Sequence, residues 1–186
     1  MRVSDFMTRD PPVARADAPV SEAQKLAAEV GLAVLFVVDG EGHLIGFLTR
    51  KALASAPDGN LPAGKLAAAP TVTMSPGDPL ERAVVLLSER YLLLPVVDEE
   101  KRLVGVLTSV GLLRGLAHMA GLGEEGTRIR IQASSQTEAY QALGALGEKG
   151  FPLVAVLRGN AGELIIHVQG VKDQERLLTE LKGTLR

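Results

Sequence analysis

One strand–turn–strand pattern occurs twice in this chain at a fixed distance, and that recurrence limits the fold more than any other feature. Leu94-Pro95-Val96-Val97-Asp98 is an apolar run ending in Asp. The charged turn Glu99-Glu100-Lys101-Arg102 comes next, and Leu103-Val104-Gly105-Val106-Leu107-Thr108 closes the pattern. Earlier, Leu35-Phe36-Val37-Val38-Asp39, the turn Gly40-Glu41-Gly42-His43 and Leu44-Ile45-Gly46-Phe47-Leu48-Thr49 have the same form. Asp39 and Asp98, Gly46 and Gly105, Thr49 and Thr108, and Leu53 and Leu112 each lie 59 residues apart. Short apolar runs bounded by turn residues read as buried strands. A strand pair recurring at one offset is an internal repeat, and an internal repeat dictates architecture.

The flanking residues extend each copy to β-α-β-β-α. Val3 to Met7 is a short lead-in, and Pro11-Pro12-Val13-Ala14 reads as extended chain. Pro19 opens a helix at its first turn, where a missing N–H costs nothing. Val20, Ala23, Leu26, Ala27 and Val30 form its apolar face, and Gly31 ends it. A short helix covers residues 50–54. Ser55 to Pro62 is a turn-rich linker. In the second copy Ala63 to Leu66 corresponds to the lead-in and Pro70-Thr71-Val72 to Pro11-Pro12-Val13. Asp78, with Glu81 three residues on, predicts a capping box. Leu80, Ala83, Val84, Leu87 and Tyr91 give the helical face, and a trailing helix runs over residues 110–119.

Gly121 to Gly126 is a second linker, and the residues beyond it are not a third copy of the repeat. Residues 128–132 and 152–157 read as strands, as does 164–168. Residues 137–146 and 172–185 read as helices, the latter with Leu178, Leu181 and Leu185 in line. This third β-α-β-β-α order is that of a ferredoxin-like module without its last strand.

Composition narrows the function classes. The net charge is −2, there is no basic run, and two Tyr and four Phe form no stacking platform, so nucleic acid is not an expected partner. No cysteine is present, which removes disulfides and thiolate chemistry and fits a cytoplasmic protein. The N-terminus has no apolar h-region. The stretch from Val110 to Leu122 is interrupted by Arg114 and His118 and is too short to span a bilayer. His43, His118 and His167 have no carboxylate or second His at ligand spacing, so no metal site is expected. No nucleophile–base pair or carboxylate dyad falls together, so an enzyme is the poorest reading.

The doubled unit resembles a tandem pair of CBS (cystathionine-β-synthase) domains, a Bateman module. The residues that carry the resemblance are the lead-in ending at Met7, the LFVVD and LPVVD strands, and the runs closing on Thr49 and Thr108. The C-terminal part looks like an ACT domain on element order. A CBS pair joined to a C-terminal ACT-like domain is similar to regulatory proteins of the acetoin-utilisation type. The expected fold is therefore α+β: CBS domain 1 over residues 1–56, CBS domain 2 over 57–120 and an ACT-like domain over 127–186.

The resemblance implies two clefts between the repeats that bind adenosine-containing ligands of the AMP, ADP and ATP class. Adenine would lie against Val13 and Leu35 in one cleft and against Val72, Leu94 and Pro95 in the other. Phosphate would meet Thr49 with Arg50 and Lys51, or Thr108 with Ser109, at a helix N-terminus. One departure stands out. The nucleotide-binding version of the family carries an Asp three residues after the Thr to hold the ribose hydroxyls, and here those positions are Ala52 and Gly111.

Simpler roles stand beside these. Thr49 and Thr108 suit helix caps, and Arg50 and Lys51 a solvated face. Asp39 and Asp98 suit turn stabilisers, and Gly46 and Gly105 close strand–helix approach. The leading functional reading is a non-enzymatic sensor that signals to the ACT-like domain by population shift, as a homodimer through the helices at 20–30 and 80–91, with a regulated protein partner. The alternative is a dimerisation module with empty clefts, whose ACT-like part binds an amino acid or a protein.

Overall fold

The computed structural model describes residues 1–31, 33–89, 91–171 and 173–182. The chain divides into two compact units, Met1–Gly115 and Leu116–Arg186. No helix among the described residues is long and apolar enough to cross a membrane.

The first unit holds both repeats. β1 (Thr8–Arg9) and β2 (Val13–Arg15) precede α1 (Val20–Val30), β3 (Val34–Val38), β4 (Leu44–Thr49) and α2 (Arg50–Ala54). The second repeat supplies α3 (Ala63–Leu66), α4 (Leu80–Glu89), β5 (Leu93–Val97), β6 (Leu103–Thr108) and α5 (Ser109–Met119). Two three-stranded sheets result, ordered β2-β3-β4 and β1-β6-β5. β1 therefore pairs in the sheet of the second repeat, with Thr8 opposite Val106 and Arg9 opposite Gly105.

The linker before the second repeat does the converse. Ala68 bridges Phe47 of β4, and Ala63, fully buried, belongs to the core of the first repeat with Val20, Leu35, Leu48 and Leu53. The backbone bonds repeat the exchange almost residue for residue. Val20 N–H donates to Leu61 O, Ala63 N–H to Ala18 O and Gly64 N–H to Ala16 O. Leu80 N–H donates to Met1 O, Val3 N–H to Asp78 O and Ser4 N–H to Pro76 O. Amides at the starts of α1 and α4, which have no partner within their helices, are thus satisfied by the other repeat's lead-in.

Gly46 and Gly105 make the exchange possible. A Cβ on residue 46 would lie 2.6 Å from Ala68 O, and one on residue 105 would lie 2.7 Å from Met7 Sδ and 2.9 Å from Thr8 O. The close neighbour is the exchanged lead-in rather than the helix expected from the sequence. The two hairpin turns also pair: Leu44 N–H donates to Lys101 O and Leu103 N–H to Gly42 O, both at 3.0 Å. Asp39 clamps its turn, accepting from the Glu41 and His43 amides at 2.9 Å and lying 2.8 Å from His43 Nδ1. Asp98 accepts from the Arg102 amide at 2.8 Å.

Four details depart from expectation. Asp78 does not form a capping box with Glu81; its carboxylate accepts the Ser75 amide and pairs with Arg82. Val30 is 46% exposed rather than on the buried face of α1. Tyr91 lies beyond the end of α4. Val72 lies outside any strand, and the parallel bridge to β5 is made by Met74 with Val96.

The second unit comprises β7 (Thr127–Gln132), α6 (Gln136–Glu148), β8 (Leu153–Arg158), β9 (Glu163–Val168) and α7 (Gln174–Lys182). Its antiparallel sheet is ordered β7-β9-β8. Ile129, Leu146, Ile166, Leu177 and Leu181 form its core. Lys172 and Leu185, expected in the last helix, lie outside the described residues.

The exchange and the turns can each be tested. Gly46→Ala and Gly105→Ala are each expected to lower the unfolding free energy by about 1–3 kcal/mol, the usual cost of overpacking, read from urea denaturation midpoints. The Asp39 carboxyl is held below its ordinary value of 3.8, chiefly by its hydrogen bond to the His43 side chain and then by the His43 and Glu41 amides. A lowered carboxyl stabilises the fold above that value and stops doing so as the pH falls through it. The stability gap between the parent protein and Asp39→Asn should narrow as the pH falls below about 4, measured by denaturation across that range.

Candidate functional site

Strand alternation decides which residues face the space between the two sheets. Leu35 pairs with Leu48 across β3 and β4, and Leu94 with Leu107 across β5 and β6. All four are 1% exposed or less and point into the helix-covered cores. Their neighbours in sequence point the other way. Val34 pairs with Thr49, Phe36 with Phe47, Leu93 with Thr108 and Pro95 with Val106.

A cavity of about 290 Å³ opens on this second face. The first repeat lines it with Val34, Phe36, Phe47 and Thr49. The second repeat contributes residues 69–72, Tyr91 to Leu93, and Pro95. Tyr91 is held by a 2.9 Å hydrogen bond between its hydroxyl and Thr71 Oγ1. Three aromatic rings, from Phe36, Phe47 and Tyr91, thus border one slot. Among the described residues that line it, none carries a charge.

The expected site residues divide accordingly. Thr49, Val72 and Pro95 come together in the cavity. Leu35 and Leu94 do not, because each sits one residue out of phase with the exposed face. Val13 lies in β2 opposite Phe36 and is not among the lining residues. Arg50 lines a separate groove with Gln24, Ala27 and Leu53 between α1 and α2. Lys51 and Ser109 lie at the starts of α2 and α5, and neither lines the cavity. Thr108 stands at the matching strand–helix junction of the second repeat, where it accepts the Gly111 amide at 3.2 Å.

Thr49 caps α2: its Oγ1 accepts the Ala52 amide at 3.1 Å. Position 111 is closed to any side chain. A Cβ there would lie 2.5 Å from Phe6 O, so the exchanged lead-in occupies the space that a carboxylate would need. Position 52 already carries a Cβ; Ala52 is an apolar, half-buried residue. Among the described residues no three His, Asp, Glu or Cys side chains could gather around a metal ion.

Phe36, Phe47 and Tyr91 are site residues that the sequence reading misses. For the two Phe a signal exists. Once Thr49 is placed on a face, period two brings Phe47 and its cross-strand partner Phe36 onto the same face. Tyr91 gives no such signal, because helical spacing assigns it to α4. Thr49→Ala is expected to cost about 1 kcal/mol of stability through the lost cap, and Thr49→Ser to retain most of it, both read from chemical denaturation.

Comparison with known proteins agrees with this geometry. The model of the CBS domain matches twice, over residues 3–59 and 63–118. An inosine-5′-monophosphate dehydrogenase of Korarchaeum cryptofilum is 28% identical over 134 residues, covering 72% of this chain and 28% of that enzyme. The chain therefore spans less than a third of that relative's length. A solved CBS domain pair/ACT domain protein from Thermotoga maritima aligns with TM-score 0.56 at 27% identity, over 62% of this chain and 96% of that one. CBSX2 in complex with AMP aligns with TM-score 0.56 at 28% identity, over 62% and 95%. A CBS domain pair in complex with 5′-methylthioadenosine and S-adenosyl-L-methionine aligns with TM-score 0.52 at 25% identity, over 62% and 99%. With two matched copies, an exchanged pair of sheets and a cleft between them, this chain belongs to the CBS-domain family.

Proposed function

We propose that this protein is a non-enzymatic regulatory sensor whose CBS pair takes an adenosine-containing small molecule in the cleft beside Thr49. The observation that carries the reading is the uncharged, aromatic-bordered slot of about 290 Å³ between the two sheets. A purine ring fits between apolar and aromatic side chains with a favourable stacking contribution. The complexes of similar CBS pairs with AMP, and with 5′-methylthioadenosine and S-adenosyl-L-methionine, support that class. The lining comes from both repeats, so a ligand touching both would favour one spacing of the two sheets over others, and the response is a shift in population.

The C-terminal unit, read as ACT-like from its β-α-β-β-α order, would receive that signal and pass it to a protein partner. Assembly as a homodimer through the CBS helices is part of the same proposal. Val30 at the end of α1 and Val85 on α4 are 46% and 59% exposed, and apolar side chains so placed on these two helices suit a contact between copies. The competing reading, a dimerisation module with empty clefts, rests on Ala52 and Gly111.

Calorimetric titration with adenosine, AMP, ADP, ATP, NAD and S-adenosylmethionine tests the proposal. Heat is expected from at least one. The same ligand at about 100 times its Kd should add about 2.7 kcal/mol to the unfolding free energy. Silence from all six, with a dimer seen in sedimentation, would leave the scaffold reading.

A further inference from the structure

We infer that the Thr49 cleft selects uncharged adenine nucleosides over their phosphates, and does not distinguish ribose from 2′-deoxyribose. This rests on the adenosine reading above and narrows it.

Phosphate finds no cationic partner among the described residues that line the slot. Among the described residues its lining has Thr49, Thr71 and Tyr91 as polar residues and no Lys or Arg. The hydroxyls of Thr71 and Tyr91 already bond each other at 2.9 Å. Arg50, next in sequence to Thr49, lies in the groove between α1 and α2 instead. Two of the first three amides of α2 are committed as well. Arg50 N–H donates to Ala33 O at 3.1 Å, and Ala52 N–H donates to Thr49 Oγ1 at 3.1 Å. With a length of five residues, this helix adds little dipole. An anion drawn into such a site exchanges its hydration for a few neutral hydroxyl donors and no positive charge.

Size points the same way. A cavity of about 290 Å³ lies at the lower end of the range of small-molecule sites, roughly 300–1,000 Å³. It suits a base and sugar, and leaves a triphosphate outside. The sugar, in turn, meets no carboxylate. Ala52 presents a methyl group near the cap, so the 2′-hydroxyl gains no charge-assisted hydrogen bond whose loss would be felt.

The test is calorimetric titration of the full chain with adenosine, 2′-deoxyadenosine, 5′-methylthioadenosine, AMP and ATP, at two salt concentrations. Adenosine and 5′-methylthioadenosine are expected to bind at least about tenfold tighter than AMP and ATP, a difference of about 1.4 kcal/mol. 2′-Deoxyadenosine should fall within about threefold of adenosine, and salt should leave the nucleoside affinities unchanged. Tyr91→Ala, which removes one wall of the slot, should weaken the nucleosides; unchanged binding in that variant would place the ligand elsewhere and overturn the inference. AMP or ATP binding as tightly as adenosine would overturn it while leaving the adenosine reading intact, as would a tenfold loss for 2′-deoxyadenosine. No heat from any of the five would overturn both.

Discussion

The fold depends on two places where backbone passes backbone closer than a side chain allows. Gly46 lies against Ala68 O and Gly105 against Met7 and Thr8. At each, the lead-in of one repeat docks on the outer strand of the other. The second repeat lacks a third strand without β1, and neither repeat has a fully satisfied helix start without its partner's segment. The pair is therefore one cooperative body rather than two domains on a string, and the cleft between the sheets inherits its geometry from both crossings.

Much of this is legible in the sequence. The 59-residue offset locates the strands, the turns, both Thr caps and the glycines that matter. Gly31 marks the end of α1 and adopts the left-handed conformation there. The exchange is not legible, because a four-residue lead-in carries too few apolar positions to say which core it fills. Ala63 is small, and its burial in the first repeat is a tertiary fact. Nor does an almost unbroken apolar run such as Val34 to Val38 show which of its faces is the cleft. Both faces are buried, so hydrophobicity alone carries no alternation. That is why Leu35 is expected where Phe36 stands, and Leu94 is expected beside Pro95. Asp78 has the spacing of a capping residue, but the amide of Leu80 is satisfied by Met1 O, which frees the carboxylate for Ser75 and Arg82.

The two halves are alike in backbone and unlike in chemistry. Both Thr residues cap in the same way, yet the residue three positions on is a methyl group in one half and a hydrogen in the other. In the second repeat the hydrogen is demanded by packing. Phe6 crosses α5 at Gly111 and again at Gly115, where a Cβ would collide with Leu80 and lie 3.2 Å from the Phe6 ring. In the first repeat position 52 holds a methyl group, so the same restriction to hydrogen does not apply there. Pseudo-symmetry in such a pair is a constraint on the strands, and the strand–helix junctions are where the halves are allowed to differ.

The crossings also impose an order in time that the finished structure conceals. Residues 61–68 leave the ribosome soon after β4, so the first repeat meets its borrowed segment almost at once. Thr8 and Arg9 must wait for Gly105 and Val106, roughly 5–20 seconds later at ordinary elongation rates. A symmetric product is thus reached by an asymmetric route. The first repeat can close while Thr8 and Arg9 are still unpaired, and the second can close only when that earlier-made segment is taken up.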